Sequence, residues 1–177
     1  SAFRIRQPAY ETDAATGVFG PNGKRENRGI ELSTFGEPWE GVRLLGGLMY
    51  IDSELTATND PAEDGNRAPA TPEYSVNLGA EWDVPAVQGL TLTARGIHSS
   101  SQYLDQANSK KIDGWERLDM GARYAFAAAG KDVTLRASVE NVLDDRSWIS
   151  AGASDDSAAG LTLSAPRTYL LSATIGF

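Results

Sequence analysis

Tyr74-Ser75-Val76-Asn77-Leu78-Gly79-Ala80-Glu81-Trp82 alternates apolar with polar or small side chains along its length. A period of two places Tyr74, Val76, Leu78, Ala80 and Trp82 on one face of a β-strand, and Ser75, Asn77, Gly79 and Glu81 on the other. The pattern recurs along the chain. Leu118, Met120, Ala122, Tyr124 and Phe126 alternate with Arg117, Asp119, Gly121 and Arg123; Val133, Leu135, Ala137 and Val139 alternate with Thr134, Arg136, Ser138 and Glu140. Tyr169, Leu171, Ala173, Ile175 and Phe177 alternate with Leu170, Ser172, Thr174 and Gly176. Weaker versions lie at 1–8, 29–36, 42–53 and 90–98, and no segment has convincing helical periodicity. The chain is therefore predicted to be all-β, with about eight strands.

The connections fall into two classes. Gly36–Gly41, Pro85–Gly89 and Ala127–Lys131 are short, whereas 9–27, 54–73, 99–114 and 144–167 are long and polar. Short and long alternate strictly, as in an antiparallel up-and-down meander that crosses a membrane with tight turns on one side and long loops on the other. Strands of about ten residues suit a tilted crossing, longer than the usual five to six of soluble proteins. Tyr74, Trp82, Tyr124, Phe126, Tyr169 and Phe177 stand near the ends of the apolar faces, where aromatic rings favour the lipid–water boundary. Glu31, Glu81, Arg95, Arg117, Asp119, Arg123, Arg136 and Glu140 would be costly in a small dry core. A wide lumen lets them meet water or pair across strands. A soluble β-sandwich also alternates, and it predicts that the apolar faces pack together.

Composition narrows the function. The 177 residues carry 16 Lys and Arg against 24 Asp and Glu, a formal charge of −8, which argues against nucleic acid as a partner. There is no Cys, so neither disulfides nor thiolate metal sites are available. No apolar run is long enough for a transmembrane helix, but the mildly polar mean hydropathy of −0.34 is compatible with a membrane barrel. Ser1-Ala2-Phe3-Arg4-Ile5-Arg6 lacks the apolar core of a signal peptide, so the chain is expected to start within a longer protein.

Catalytic chemistry finds little support. His98 is the one histidine and cannot supply the usual zinc ligand set without Cys. The adjacent Ser99-Ser100-Ser101 does not make a nucleophile site, since neighbouring strand residues face opposite ways and no G-x-S-x-G turn is present. Gly20-Pro21-Asn22-Gly23-Lys24 lacks the phosphate-loop spacing. Asp60–Asn66 lacks the ligand positions of a calcium loop. The reading is a protein that is not an enzyme, with no catalytic residue, no cofactor and no metal.

Several segments resemble the barrel of bacterial TonB-dependent outer-membrane receptors of the siderophore and ferrichrome-iron type. These are Asn27-Arg28-Gly29-Ile30-Glu31-Leu32, Asn66-Arg67-Ala68-Pro69-Ala70-Thr71-Pro72, Val139-Glu140-Asn141-Val142-Leu143-Asp144-Asp145-Arg146-Ser147-Trp148, and Ala165-Pro166-Arg167-Thr168-Tyr169. They occur in the family's order and together span nearly the whole chain. In the third, Val142-Leu143 replaces the usual Leu-Phe, and the aromatic is shifted by one place. The last strand, closing on Phe177, resembles the C-terminal signature of outer-membrane proteins.

The resemblance implies that residues 1–177 are the C-terminal part of a larger transmembrane barrel of about 22 strands, with an N-terminal plug domain that is absent here. It implies TonB-dependent uptake of a ferric siderophore at the bacterial outer membrane, with TonB, the plug, outer-membrane lipid and the barrel-assembly machinery as partners. Tyr103, Arg146 and Trp148 become ligand-facing loop candidates, because aromatic and Arg side chains bind such cargo by stacking and cation–π contact. Tyr169, Leu171, Ala173, Ile175 and Phe177 become the assembly signal. Taken alone, the segment is expected as a closed small barrel, an open sheet or an edge-paired oligomer. Rival readings are a self-contained eight-stranded barrel acting as adhesin or anchor, and a soluble β-domain binding module.

Overall fold

The computed structural model describes residues 1–13, 15–151 and 160–176. Its strands are β1 (Ala2–Thr12), β2 (Phe19–Trp39), β3 (Val42–Thr56), β4 (Tyr74–Asp83), β5 (Leu90–Ser99), β6 (Gln102–Tyr103), β7 (Lys111–Ile112), β8 (Trp115–Ala128), β9 (Lys131–Glu140), β10 (Trp148–Ala151), β11 (Leu161–Leu163) and β12 (Thr168–Ile175). One antiparallel sheet takes eight of them in the order β1-β2-β3-β4-β5-β8-β9-β12. Each strand therefore pairs with its neighbour along the chain, the meander that the connection lengths predict. Two turns have only two residues, Glu40-Gly41 between the paired Trp39 and Val42 and Ala129-Gly130 between the paired Ala128 and Lys131. In the second, Ala129 and Gly130 both have positive φ, 51° and 75°, as a type I′ turn matched to strand twist requires.

The register gives the sheet two chemically distinct faces. One rung crosses Val42, Trp82, Leu92, Ala122, Ala137 and Leu171; another carries Ile30, Tyr50 and Tyr74. This apolar face is uncovered: Leu32 is 63% exposed, Leu78 50% and Leu171 85%. Among the described residues no second sheet packs against it, so the sandwich arrangement is not adopted. Eight side chains on this face (Ile30, Leu32, Leu48, Leu78, Leu92, Met120, Leu135 and Leu171) would forgo on the order of 10 kcal/mol of burial in water. That rivals the whole net stability of a domain, and an apolar solvent removes the deficit. Tyr50 and Tyr74 bound the face at one end, and Trp82, Tyr124 and Phe126 at the other. Tyr74 and Trp82 are about 26 Å apart along the strand at roughly 3.3 Å per residue, which after a tilt of about 40° spans roughly 20 Å, within an apolar band about 25 Å tall.

Among the described residues the buried apolar side chains, Leu55, Ala68 and Ile112, sit at the loop end. There the structure corrects the predicted loop boundaries. Residues 9–27 are not one long loop, because β1 and β2 stay paired out to Thr12 and Phe19. Residues 99–114 contain the β6–β7 ribbon, and 144–167 contain β10–β11. Beyond the apolar band both faces meet water, so side-chain alternation fades while backbone groups still need partners. The edges β1 and β12 do not pair with each other, so within the chain the sheet is open and does not close as a small barrel.

Candidate functional site: the charged face and its loops

The second face carries the predicted charges, several of them paired across strands. Arg43 grips Asp83 through two bonds of 2.6 and 2.8 Å and reaches Glu81 at 3.1 Å. Thr91 donates to Asp83 at 2.6 Å, and Arg123 lies 3.7 Å from Glu81. Further along, Arg117 bridges Asp119 at 2.7 Å and Glu140 at 2.9 Å. Arg95 donates to Asn77 at 2.9 Å, and Glu31 accepts from the Ser1 hydroxyl at 3.2 Å. Cross-strand neighbours about 5 Å apart make such pairs a direct product of register. Most of these side chains are a third or more exposed, so each pair contributes well under about 1 kcal/mol. Their main effect is to make this wall hydrophilic.

Above this wall the connections are locked to one another. Arg25 donates to Asn27 and Ser53 at 3.1 Å each and to Thr71 at 2.5 Å, tying 57–73 to β2 and β3. Asn108 and Arg67 exchange two bonds of 2.9 Å, and the Ala70 N–H donates to the Tyr103 carbonyl at 2.8 Å. Arg67 also pairs with Glu73 at 2.7 Å and holds its carboxyl below the usual glutamate range. Asp64 is lowered likewise by the Thr58 N–H and hydroxyl. Asn141 is 3% exposed with φ 52°. Its amide donates to the carbonyls of Asp145 and Ala165 at 2.8 and 2.9 Å, its oxygen accepts from the Asp145 N–H at 3.1 Å, and Asp144 accepts from the Arg167 N–H at 3.0 Å. Two of the quoted sequence elements, 139–148 and 165–169, thereby meet in one clamp.

The candidate ligand residues fall on two separate units. Tyr103 is half-buried in β6, while Arg146 is exposed and Trp148 is 45% exposed at the start of β10. No hydrogen bond, ion pair or ring contact among the described residues joins Tyr103 to Arg146 or Trp148. Tyr169, Leu171, Ala173 and Ile175 line the apolar face of β12; Phe177 lies outside the described residues. His98 stacks on Tyr74 at 5.4 Å on the apolar face and meets Glu116 at 3.0 Å. Ser100 instead accepts from the Glu73 and Tyr74 N–H groups at 2.8 and 3.2 Å. In the 60–66 stretch Asp60 accepts from the Ala62 N–H at 2.9 Å, and no group of potential metal ligands gathers among the described residues. Sequence reasoning missed a cluster of Arg4, Arg6 and Arg28 around Glu26. Its one signal was the pair of cations at spacing two within 1–8.

Residues 1–142 match the family model described as TonB dependent receptor-like, beta-barrel. The chain belongs to this family. Over 175 residues it is 41% identical to the ferrichrome receptor FcuA of Yersinia enterocolitica, covering 99% of this chain and 23% of that protein. The ferrichrome outer membrane transporter/phage receptor of Escherichia coli is 30% identical over 158 residues, covering 88% and 20%. Among solved structures, BauA, the ferric preacinetobactin receptor of Acinetobacter baumannii, superposes with a TM-score of 0.86 at 40% identity, covering 99% and 26%. This TonB-dependent receptor chain thus spans about a quarter of the relatives' length, and its open, two-faced meander is a section of such a barrel.

Proposed function

We propose that this chain is the C-terminal section of an outer-membrane receptor that takes up ferric siderophores by TonB-dependent transport, with a plug domain contributed by the rest of the protein. The observation that carries the reading is the 41% identity to a ferrichrome receptor over 99% of the chain. The uncovered apolar face and the two unpaired edges support it, since both call for lipid and for further strands rather than water. A transporter wall of this kind does no bond chemistry. Its task is to hold ligand-facing loops above a hydrated, charged lumen, and in this reading Tyr103, Arg146 and Trp148 offer stacking and cationic contacts to the cargo. The apolar face of β12, with Tyr169, Leu171, Ala173 and Ile175, is what the assembly machinery would read.

The cargo is a ferric siderophore of the ferrichrome-like class, taken from the relative just cited; BauA, similar to the same extent, is named for a different siderophore. The test is uptake of radiolabelled ferric ferrichrome by cells whose own receptors are deleted and which express the full-length protein. Saturable uptake that vanishes on deletion of TonB is expected. Uptake of another ferric siderophore alone would replace the cargo, and no TonB-dependent uptake of any would overturn the reading. Trp148→Ala is expected to raise the half-saturating concentration several-fold with the maximal rate preserved.

A further inference from the structure

Beyond the Ile30–Tyr50 rung, the outward face of β1–β3 changes from apolar to ionic. The next rung in that direction carries Arg4, Arg28 and Asp52, the following one Arg6, Glu26 and Glu54, and the one after it Pro8, Lys24 and Thr56. These residues share the face of Ile30, Leu32 and Tyr50, so they point away from the lumen. Glu26 accepts the Nε–H of Arg4 at 2.8 Å, of Arg6 at 2.6 Å and of Arg28 at 2.5 Å. Its side chain is 9% exposed, whereas those of the arginines are 54%, 68% and 52% exposed. One covered carboxylate therefore holds three uncovered guanidiniums by their ε edges. The η-nitrogens of Arg6 and Arg28 have no hydrogen-bond acceptor among the described residues. The other carboxylates of this surface, Asp52 and Glu54, both lie on β3, so positive charge concentrates on β1 and β2.

Position decides what this surface meets. Two residues of strand rise about 6.6 Å, and the headgroup layer is roughly 5–8 Å thick on each side of the hydrocarbon. Arg4 and Arg28 thus stand within the headgroup layer of the loop-side leaflet, and Arg6, about 10 Å above the Ile30–Tyr50 rung once strand tilt is allowed for, stands just beyond it with its long side chain. We propose that Arg4, Arg6 and Arg28, presented by Glu26, bind the phosphate of an anionic lipid headgroup in that leaflet. Guanidinium forks match phosphate oxygens in pairs and lose little hydration on binding. The site rests on the outer-membrane reading but not on the identity of any cargo.

The experiment uses the full-length protein in a neutral detergent, with bound lipid read by native mass spectrometry. The probes are diphosphorylated lipid A, its dephosphorylated form and inorganic phosphate. Wild type is expected to retain the phosphorylated lipid at least tenfold better than the dephosphorylated one. Combining Arg4→Gln, Arg6→Gln and Arg28→Gln with Glu26→Gln, so that no carboxylate is stranded, abolishes that preference. An unchanged preference in the combined variant, or none in wild type, overturns the proposal; inorganic phosphate binding as well as the lipid reassigns the site to free anions and also overturns it. Heat-modifiable migration confirms that each variant folds. Fractionation with the outer membrane tests the underlying reading separately, since protein absent from that fraction sinks the reading itself, not only the lipid site.

Discussion

The side-chain amide of Asn141 donates to the carbonyl of Ala165, 24 residues further on, at 2.9 Å. This buried side chain, with the Asp144–Arg167 and Ser147–Ser164 bonds beside it, closes the connection between β9 and β12 at its base. The left-handed φ of 52° at Asn141 suits asparagine better than any other residue with a Cβ.

Replacing Asn141 tests this clamp. Asn141→Ala removes three hydrogen bonds from the exposed residues Asp145 and Ala165, and the Asp145 carbonyl keeps only the Ser164 hydroxyl, so each lost bond is expected to cost roughly 0.5–1.5 kcal/mol. Asn141→Asp removes the two donated bonds and is expected to be almost as damaging as alanine. Loss of amide-exchange protection at Val142, Asp145 and Arg167 is the readout; protection unchanged from wild type would show that the clamp is dispensable.

The Ala129-Gly130 turn points in the other direction. Alanine in the left-handed region costs about 1–2 kcal/mol, and Asn-Gly is the favoured pair for this turn. Ala129→Asn should therefore stabilise the β8–β9 hairpin by roughly 0.5–1 kcal/mol, seen as a higher midpoint in urea-driven unfolding from lipid vesicles. A lower midpoint would mean that the turn is not of this type.

Leu78 and Asn77 are adjacent in β4 but face opposite ways. Near the middle of the apolar face, Leu78→Arg is expected to cost about 2–4 kcal/mol, the price of a cation on the lipid side. Asn77→Arg, on the hydrated wall, should change stability by less than about 1 kcal/mol. Vesicle-based unfolding of both variants distinguishes the faces, and equal costs would contradict the assignment.

The Arg67–Glu73 pair predicts a pH response in the 57–73 connection. Glu73 has its pKa lowered from 4.5 by the Arg67 hydrogen bond, so its contribution is complete above that value. It is lost as pH falls through the lower, folded-state pKa. Protection factors for the peptide spanning Asn66 to Glu73 should decline over that range in wild type. In Glu73→Gln they should start lower and stay flat. Parallel declines would assign the effect to other groups.

Much of this protein was legible in the chain itself. Strict alternation in 74–82, 118–126, 133–139 and 169–177, with short and long connections in turn, determined an antiparallel meander with one apolar face. That follows because strand side chains have a period of two and a half-covered sheet must segregate its faces. The charged residues from Glu31 to Glu140 were assignable to the other face for the same reason. Only the tertiary structure decided how far the strands run beyond the apolar band, since backbone pairing leaves no mark on side chains that meet water on both faces. It alone decided that the edges stay open and that Arg67 meets Asn108. It also showed Tyr103 on a different unit from Arg146 and Trp148, and three arginines gathered around Glu26. Those relationships depend on register between strands and on loops distant in sequence, and a one-residue change of register would undo each of them.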